Sequence, residues 1–78
     1  MKGKYIIKSF EGLASTLGAI QNQEIDHSIE VIDEGAEWDF VPGATVLVIR
    51  ADGWPWNVKC PSPWFQQDVD AGKIVRVE

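Results

Sequence analysis

The sequence predicts an α+β fold: a four- to five-stranded, mainly antiparallel sheet with one or two short helices packed on one face, in the order β-α-β-β-β-α-β. Three features carry that expectation. Runs rich in β-branched or aromatic residues at Lys4–Lys8, Ala44–Arg50 and Lys73–Val77 have strand composition. Asp52-Gly53 leads from the second of these into another alternating run as a hairpin turn would. Ser62-Pro63 and Gly72 bracket a helix. No linker, repeat or low-complexity tract interrupts the 78 residues, so 1–78 is read as a single domain.

Lys4–Lys8 is the expected first strand. Ser9 then caps a helix, because Phe10, Leu13, Leu17 and Ile20 recur at spacings of three, four and three along one helical face. Gly12 and Gly18 weaken it by about 1 kcal/mol each, so it has to lean on the sheet, and Asn22 is the expected left-handed terminator. From Glu24 the period becomes two, with Ile25, His27, Ile29 and Val31 on one face of a strand and Asp26, Ser28 and Glu30 on the other. Residues 33–43 read as a connection, part of it packing back as a short strand. Ala44–Arg50, apolar on both faces, belongs in the middle of the sheet. Asp52 and Gly53 fit the two positive-φ positions of a type I′ turn, after which Trp54, Trp56, Val58 and Cys60 share one face of an edge strand marked by Pro55. A short helix from Pro63 to about Ala71 places Phe65 and Val69 one turn apart.

A chain this short buries only about 60 to 65% of its unfolded surface, so its core has to be efficient. Four Trp, three Phe and one Tyr are the expected source of it, each able to bury about 150 to 250 Å². A lone Cys60 and a lone His27 provide neither a disulfide nor a ligand set for structural zinc. Cys60 is read as a buried small hydrophobe and His27 as a half-buried residue at the sheet margin. No metal and no cofactor is expected. The N-terminus lacks the apolar run of a signal peptide, and no segment approaches the roughly 20 apolar residues of a membrane span, which points to a cytoplasmic protein.

Charge is the most uneven property of the chain. Between Ser9 and Ile49 there is no Lys or Arg, yet that stretch carries eight acids, a charge of −8 against +3 for the remainder. A net −5 disfavours direct contact with nucleic-acid backbones or anionic lipid. The candidate partner-binding face consists of Glu24, Asp26, Glu30, Asp33, Glu34, Glu37 and Asp39. On a strand, alternate residues stand about 6 to 7 Å apart, near the separation of successive phosphates along one nucleic-acid strand. Trp38, Phe40, Trp54 and Trp56 are the candidate aromatic anchors, since buried aromatics dominate binding energy while rim charges mainly set association rate.

No catalytic signature accompanies these residues. Asp26-His27-Ser28 contains the residue types of a hydrolase triad, but neighbours on a strand point to opposite faces and cannot form the relay. Residues 33–39 lack the alternating Asp-x-Asp-x-Asp-Gly pattern of a calcium loop. The expectation is therefore a non-enzymatic binding module that docks its negative face on a basic surface of a partner, such as a nucleic-acid-binding protein. Small acidic inhibitors encoded by phages and mobile elements, including anti-CRISPR and anti-restriction proteins, are of this general type. The alternatives are a peptide or small-ligand domain with a Trp-lined groove, and an enzyme subunit whose site is assembled by oligomerisation. An apolar strand edge near Pro55 leaves room for a homodimer.

Overall fold

The computed structural model describes residues 1–38 and 40–78, with side chains described for all of these except 21, 22 and 36–38. Five strands form one antiparallel sheet: β1 (Gly3–Ile7), β2 (Ser28–Trp38), β3 (Val41–Ile49), β4 (Pro55–Pro61) and β5 (Ile74–Arg76). Their spatial order is β4-β3-β2-β1-β5, so β1 to β4 form a meander opened between β1 and β2, and β5 returns to the free edge of β1. A 3₁₀ helix (Thr16–Gln23) fills the β1–β2 connection, and a single α-helix, α1 (Ser62–Asp70), lies between β4 and β5. Among the described residues the plan is thus a five-stranded antiparallel sheet with one α-helix, the first of the two expected helices being replaced by the 3₁₀ segment.

Strict alternation along the strands builds the core. Tyr5 and Ile7 of β1, Ile29 and Val31 of β2, Ala44, Val46 and Val48 of β3, Val58 and Cys60 of β4, and Ile74 of β5 are all buried on the face that α1 and the 3₁₀ helix cover. Phe65, from α1, and Leu17 are fully buried against them. Phe65 meets Tyr5 edge to face, with ring centroids 5.1 Å apart and planes at 87°, a preferred geometry for two quadrupoles.

Tryptophan supplies little of this core, contrary to the sequence-based expectation. Trp54 and Trp64 are 66% and 49% exposed, and Trp56, at the inner-face position opposite Val48, is 37% exposed. β-branched aliphatics fill the space between sheet and helices instead, because adjacent strands stand only about 4.8 Å apart and compact side chains tile that surface without gaps.

The expected first helix takes another form. Residues 9–15 are irregular, and only Thr16–Gln23 are helical, with 3₁₀ geometry. Gly12 adopts φ +69°, which a continuing α-helix excludes. The amides of Ala14 and Ser15 bond to the Asp68 carboxylate, at 2.7 and 2.9 Å, and not to local partners. The apolar positions were nevertheless legible: Leu17 is buried, and Phe10, Leu13 and Ile20 pack on the core. The left-handed residue that follows is Glu24 (φ 55°), with Asn22 still inside the 3₁₀ helix.

β2 also begins later and runs further than its period-two signal. Residues 24–27 are loop, with His27 exposed; its Nδ1–H donates to the Ile7 carbonyl at 2.6 Å and its ring meets Phe10 edge-on at 5.0 Å. The stretch 33–43, read as a connection, is mostly strand: β2 reaches Trp38 and β3 resumes at Val41. Pairing shifts between Val31 and Asp33 and again between Glu34 and Ala36, and these two bulges break the alternation that would have marked the strand.

The β3–β4 hairpin is where the sequence placed it, with a different turn. Gly53 (φ +83°) is left-handed and Asp52 is not. The Gly53 amide bonds to the Arg50 carbonyl at 2.8 Å, and the Arg50 amide to Trp54 at 3.0 Å, giving a three-residue loop with glycine at the left-handed site in place of a two-residue type I′ turn. The Asp52 carboxylate accepts from the Trp54 amide at 3.0 Å and pairs with Arg50 at 3.3 Å. β4 is an edge strand, as Pro55 requires, and β3 is an interior strand with β2 at the centre.

α1 begins at Ser62 with Pro61, not Ser62, in the cap position and no side-chain cap bond. It ends in a Schellman arrangement, the Lys73 and Gly72 amides bonding to the carbonyls of Asp68 and Val69, each at 3.0 Å.

Cys60 is buried beneath this helix, and burial pushes its thiol above the ordinary value. As pH rises past about 8.5, the unfolded chain loses that proton while the folded one keeps it. Stability is then expected to fall by up to about 1.4 kcal/mol per pH unit until the raised value is reached. Urea titrations at pH 7 and 9.5 check this: Cys60→Ala should lose less stability than wild type over that interval, and equal losses would refute it.

Candidate functional site

The five candidate acids whose side chains are described fall into three places. Glu24 and Asp26 sit in the loop before β2, where the Asp26 carboxylate accepts from the Ser28 amide at 3.3 Å. Glu30 and Asp33 stand on the sheet face that the helices leave uncovered. Glu30 lies between Lys4 of β1 and Leu47 of β3; Asp33 is opposite Thr45, whose hydroxyl accepts from the Lys59 ammonium at 2.7 Å. Glu34 is opposite Ala44 on the helix side and pairs with the Met1 α-amino group at 2.9 Å, which holds its carboxyl below the usual range.

The reason for the split is the bulge at Ile32. One extra residue reverses the facing of everything after it, so Asp33 keeps the face of Glu30 and Glu34 takes the other. The candidate acids whose side chains are described are therefore not gathered on one face.

What the structure does bring together is an arm. β1 pairs with β2 only as far as Val31, and β4 pairs with β3 only from Gly43 onward, so the strand ends between them extend past both neighbours as a two-stranded hairpin. Asp33 and Glu34 stand at its base, opposite Thr45 and Ala44, which β4 still flanks, and Glu37 lies on its β2 side. Glu37 and Trp38 reach it by backbone register, opposite Pro42 and Val41, their side chains lying outside the described residues; Asp39 lies outside them altogether.

Phe40 sits at the tip, 93% exposed and with φ +64°. Both properties are unfavourable for a bulky aromatic in water: the left-handed region crowds Cβ, and the ring gains nothing from burial. The tip position follows from the pairing of Trp38 with Val41, which leaves two residues to reverse the chain.

The other aromatic candidates lie elsewhere. Trp54 follows the β3–β4 turn, Trp56 stands on the helix side opposite Val48, and Trp64 is in the first turn of α1. A shallow depression of about 290 Å³ lies on the uncovered face, lined by Lys4, Ile6, Glu30, Leu47, Ile49 and Val77 among others, and Trp54, Trp56 and Trp64 do not border it.

The residue that sequence reasoning missed is Asp68. It is 2% exposed on the inward face of α1 and ties the helix to residues 14 and 15 across more than fifty positions of chain. Its position was a signal: residues 65, 68 and 69 share one helical face, and an acid among apolar residues there needs donors.

Among the described residues no group of three or more His, Cys, Asp or Glu is placed to hold a metal ion, and no helix is long and apolar enough to cross a membrane. No family model matches the chain, and the comparisons with curated proteins and with solved structures return no match.

Proposed function

We propose that this chain is a non-catalytic binding protein that docks its β2–β3 arm on a basic surface of a partner protein, with Phe40 as anchor. The observation that carries the reading is Phe40 itself, an exposed ring at a strained tip in a stretch that contains no Lys or Arg. Unfavourable backbone geometry persists where the surroundings enforce it, and such sites concentrate where binding occurs. A buried Phe supplies the desolvated contact, and the acidic charge of residues 33–39 steers the approach and sets partner charge. A nucleic-acid-binding protein is a partner of suitable chemistry, because its site is a track of positive charge.

The test compares wild type, Phe40→Ser and Asp33→Lys/Glu34→Lys as bait in a lysate of the source organism, each checked for native circular dichroism. The proteins of interest are those held by wild type, lost in both variants, and released as salt rises from about 0.1 to 0.5 M. For a purified partner found in this way, Phe40→Ser is expected to weaken binding about 30-fold or more, a cost of at least 2 kcal/mol. Equal retention by all three baits, indifferent to salt, would remove the reading.

A second reading rests on the tryptophans. Three exposed indoles on β4 and α1 are available to stack on a peptide or planar ligand, each ring contributing about 1 to 3 kcal/mol. Ligand-induced change in Trp fluorescence that is abolished by Trp56→Ala and untouched by Phe40→Ser favours this reading over the first.

A further inference from the structure

The uncovered face of the sheet carries an ordered pattern. Across the strands one row reads Val77, Lys4, Glu30, Leu47 and Asn57. The neighbouring row has Val75 beside Ile6 and Ile6 beside Ser28, with Ile49 and Pro55 completing it on β3 and β4. Ser28 is the small residue between Ile6 and Ile49, and the depression of about 290 Å³ lies there. Val75 and Val77 are exposed, Val77 by 57%. An apolar face left open in this way is normally covered by something.

We infer that a second copy of this chain covers it, face to face, about a two-fold axis parallel to the strands and running between β1 and β2. That operator sets β1 of one copy on β2 of the other and β5 on β3. Each contact it generates is complementary. Lys4 meets the second copy's Glu30, and Glu30 meets its Lys4. Ile6 enters the depression above the second copy's Ser28. Val75 and Val77 lie on Ile49 and Leu47. Two sheets packed in this manner keep their strands within about 30° of each other.

Self-complementarity is the feature that selects a second copy over an unrelated partner. An isologous interface needs each charge to have its opposite reflected across the axis, and Lys4 and Glu30 are adjacent, of opposite sign, on either side of the axis. Among the described residues the Lys4 ammonium pairs with Glu78, at 3.8 Å between exposed groups, a contact that little opposes its reorientation.

Area sets the strength. Four columns about 4.8 Å apart and two rows about 7 Å apart give a small flat footprint, at the weak end of the range for protein pairs. The dimer should therefore be concentration-dependent, forming between tens of micromolar and about 1 mM.

Sedimentation equilibrium over that range tests it. Wild type is expected to move from monomer toward dimer mass, and Lys4→Glu and Glu30→Lys each to weaken association about tenfold or more by facing like charges. The double variant Lys4→Glu/Glu30→Lys, which restores the opposition, is expected to recover it. Val77→Asp, at a largely exposed position, is expected to weaken it without reference to the charge pair. Circular dichroism establishes that each variant is folded. A wild type that stays monomeric at about 1 mM, or a dimer indifferent to all of these changes, overturns the inference.

Discussion

Asp68→Ala is expected to destabilise the protein by about 3 to 5 kcal/mol, because it leaves the amides of Ala14 and Ser15 without acceptors where water does not replace them. An unsatisfied amide costs about 1 to 3 kcal/mol, and bonds to an ionised carboxylate lie at the upper end of hydrogen-bond strength. A chain of 78 residues has about 4 to 12 kcal/mol of total stability, so this one change removes about a quarter of it or more. In a domain of this size each kcal/mol moves the midpoint by about 4 to 8 °C, which places the variant's Tm at least about 12 °C below wild type. Asp68→Asn keeps one acceptor oxygen and turns an NH₂ toward the other amide, so its loss should be intermediate. Thermal and urea melts followed by circular dichroism provide the measurement. An Asp68→Ala midpoint within about 3 °C of wild type would show that the bond pair contributes nothing net.

Phe65→Ala should cost about as much by a different route. The ring is fully buried, fills the space between α1 and the sheet and contacts Tyr5 edge-on, and large-to-small changes at such aromatic sites cost about 3 to 5 kcal/mol. Phe65→Leu, which retains most of the volume, should cost under about 2 kcal/mol. The two sites also interact. Asp68 is held at its donors by the same helix that Phe65 anchors, three positions away, so the double variant Phe65→Ala/Asp68→Ala should lose less than the sum of the single losses. A strictly additive double would mean that α1 keeps its seat without Phe65. Both variants leave the arm unaltered, so their effects separate stability from the binding role proposed for Phe40.

The strands were legible in this sequence because apolar residues alternate within them, and alternation is a local property. β1, β3 and β4 and the hairpin joining the last two could be read from consecutive residues, as could α1 from its proline, its apolar spacing and its glycine. The far half of β2 could not. A bulge at Ile32 and another at Gly35 remove the period, and a segment without a period resembles a loop. The hairpin arm, and with it the meaning of Phe40, was hidden for that reason.

The acids show the same limit from the side of charge. Their concentration between Ser9 and Ile49 is plain in the sequence, but the number of faces they occupy depends on pairing register. The shift of one residue at Ile32 sends Glu34 to the helix side, where it finds the Met1 α-amino group, and leaves Glu30 beside Lys4 on the other. Counting charges along the chain does not see this, because register is decided by contacts between strands.

Taken alone, the order of residues determined the class of fold, the direction and succession of most elements, and the excess of negative charge. All of these depend on neighbours within about one turn or one strand. Tertiary structure decided the rest: that Ser9–Ser15 abandons an α-helix because Asp68 offers its amides better acceptors, that three tryptophans stay outside because the sheet and helices close over smaller side chains, and that one side of the sheet is left uncovered. Those outcomes compare partners distant in sequence, and their energies exist only once the chain has brought the partners within contact distance.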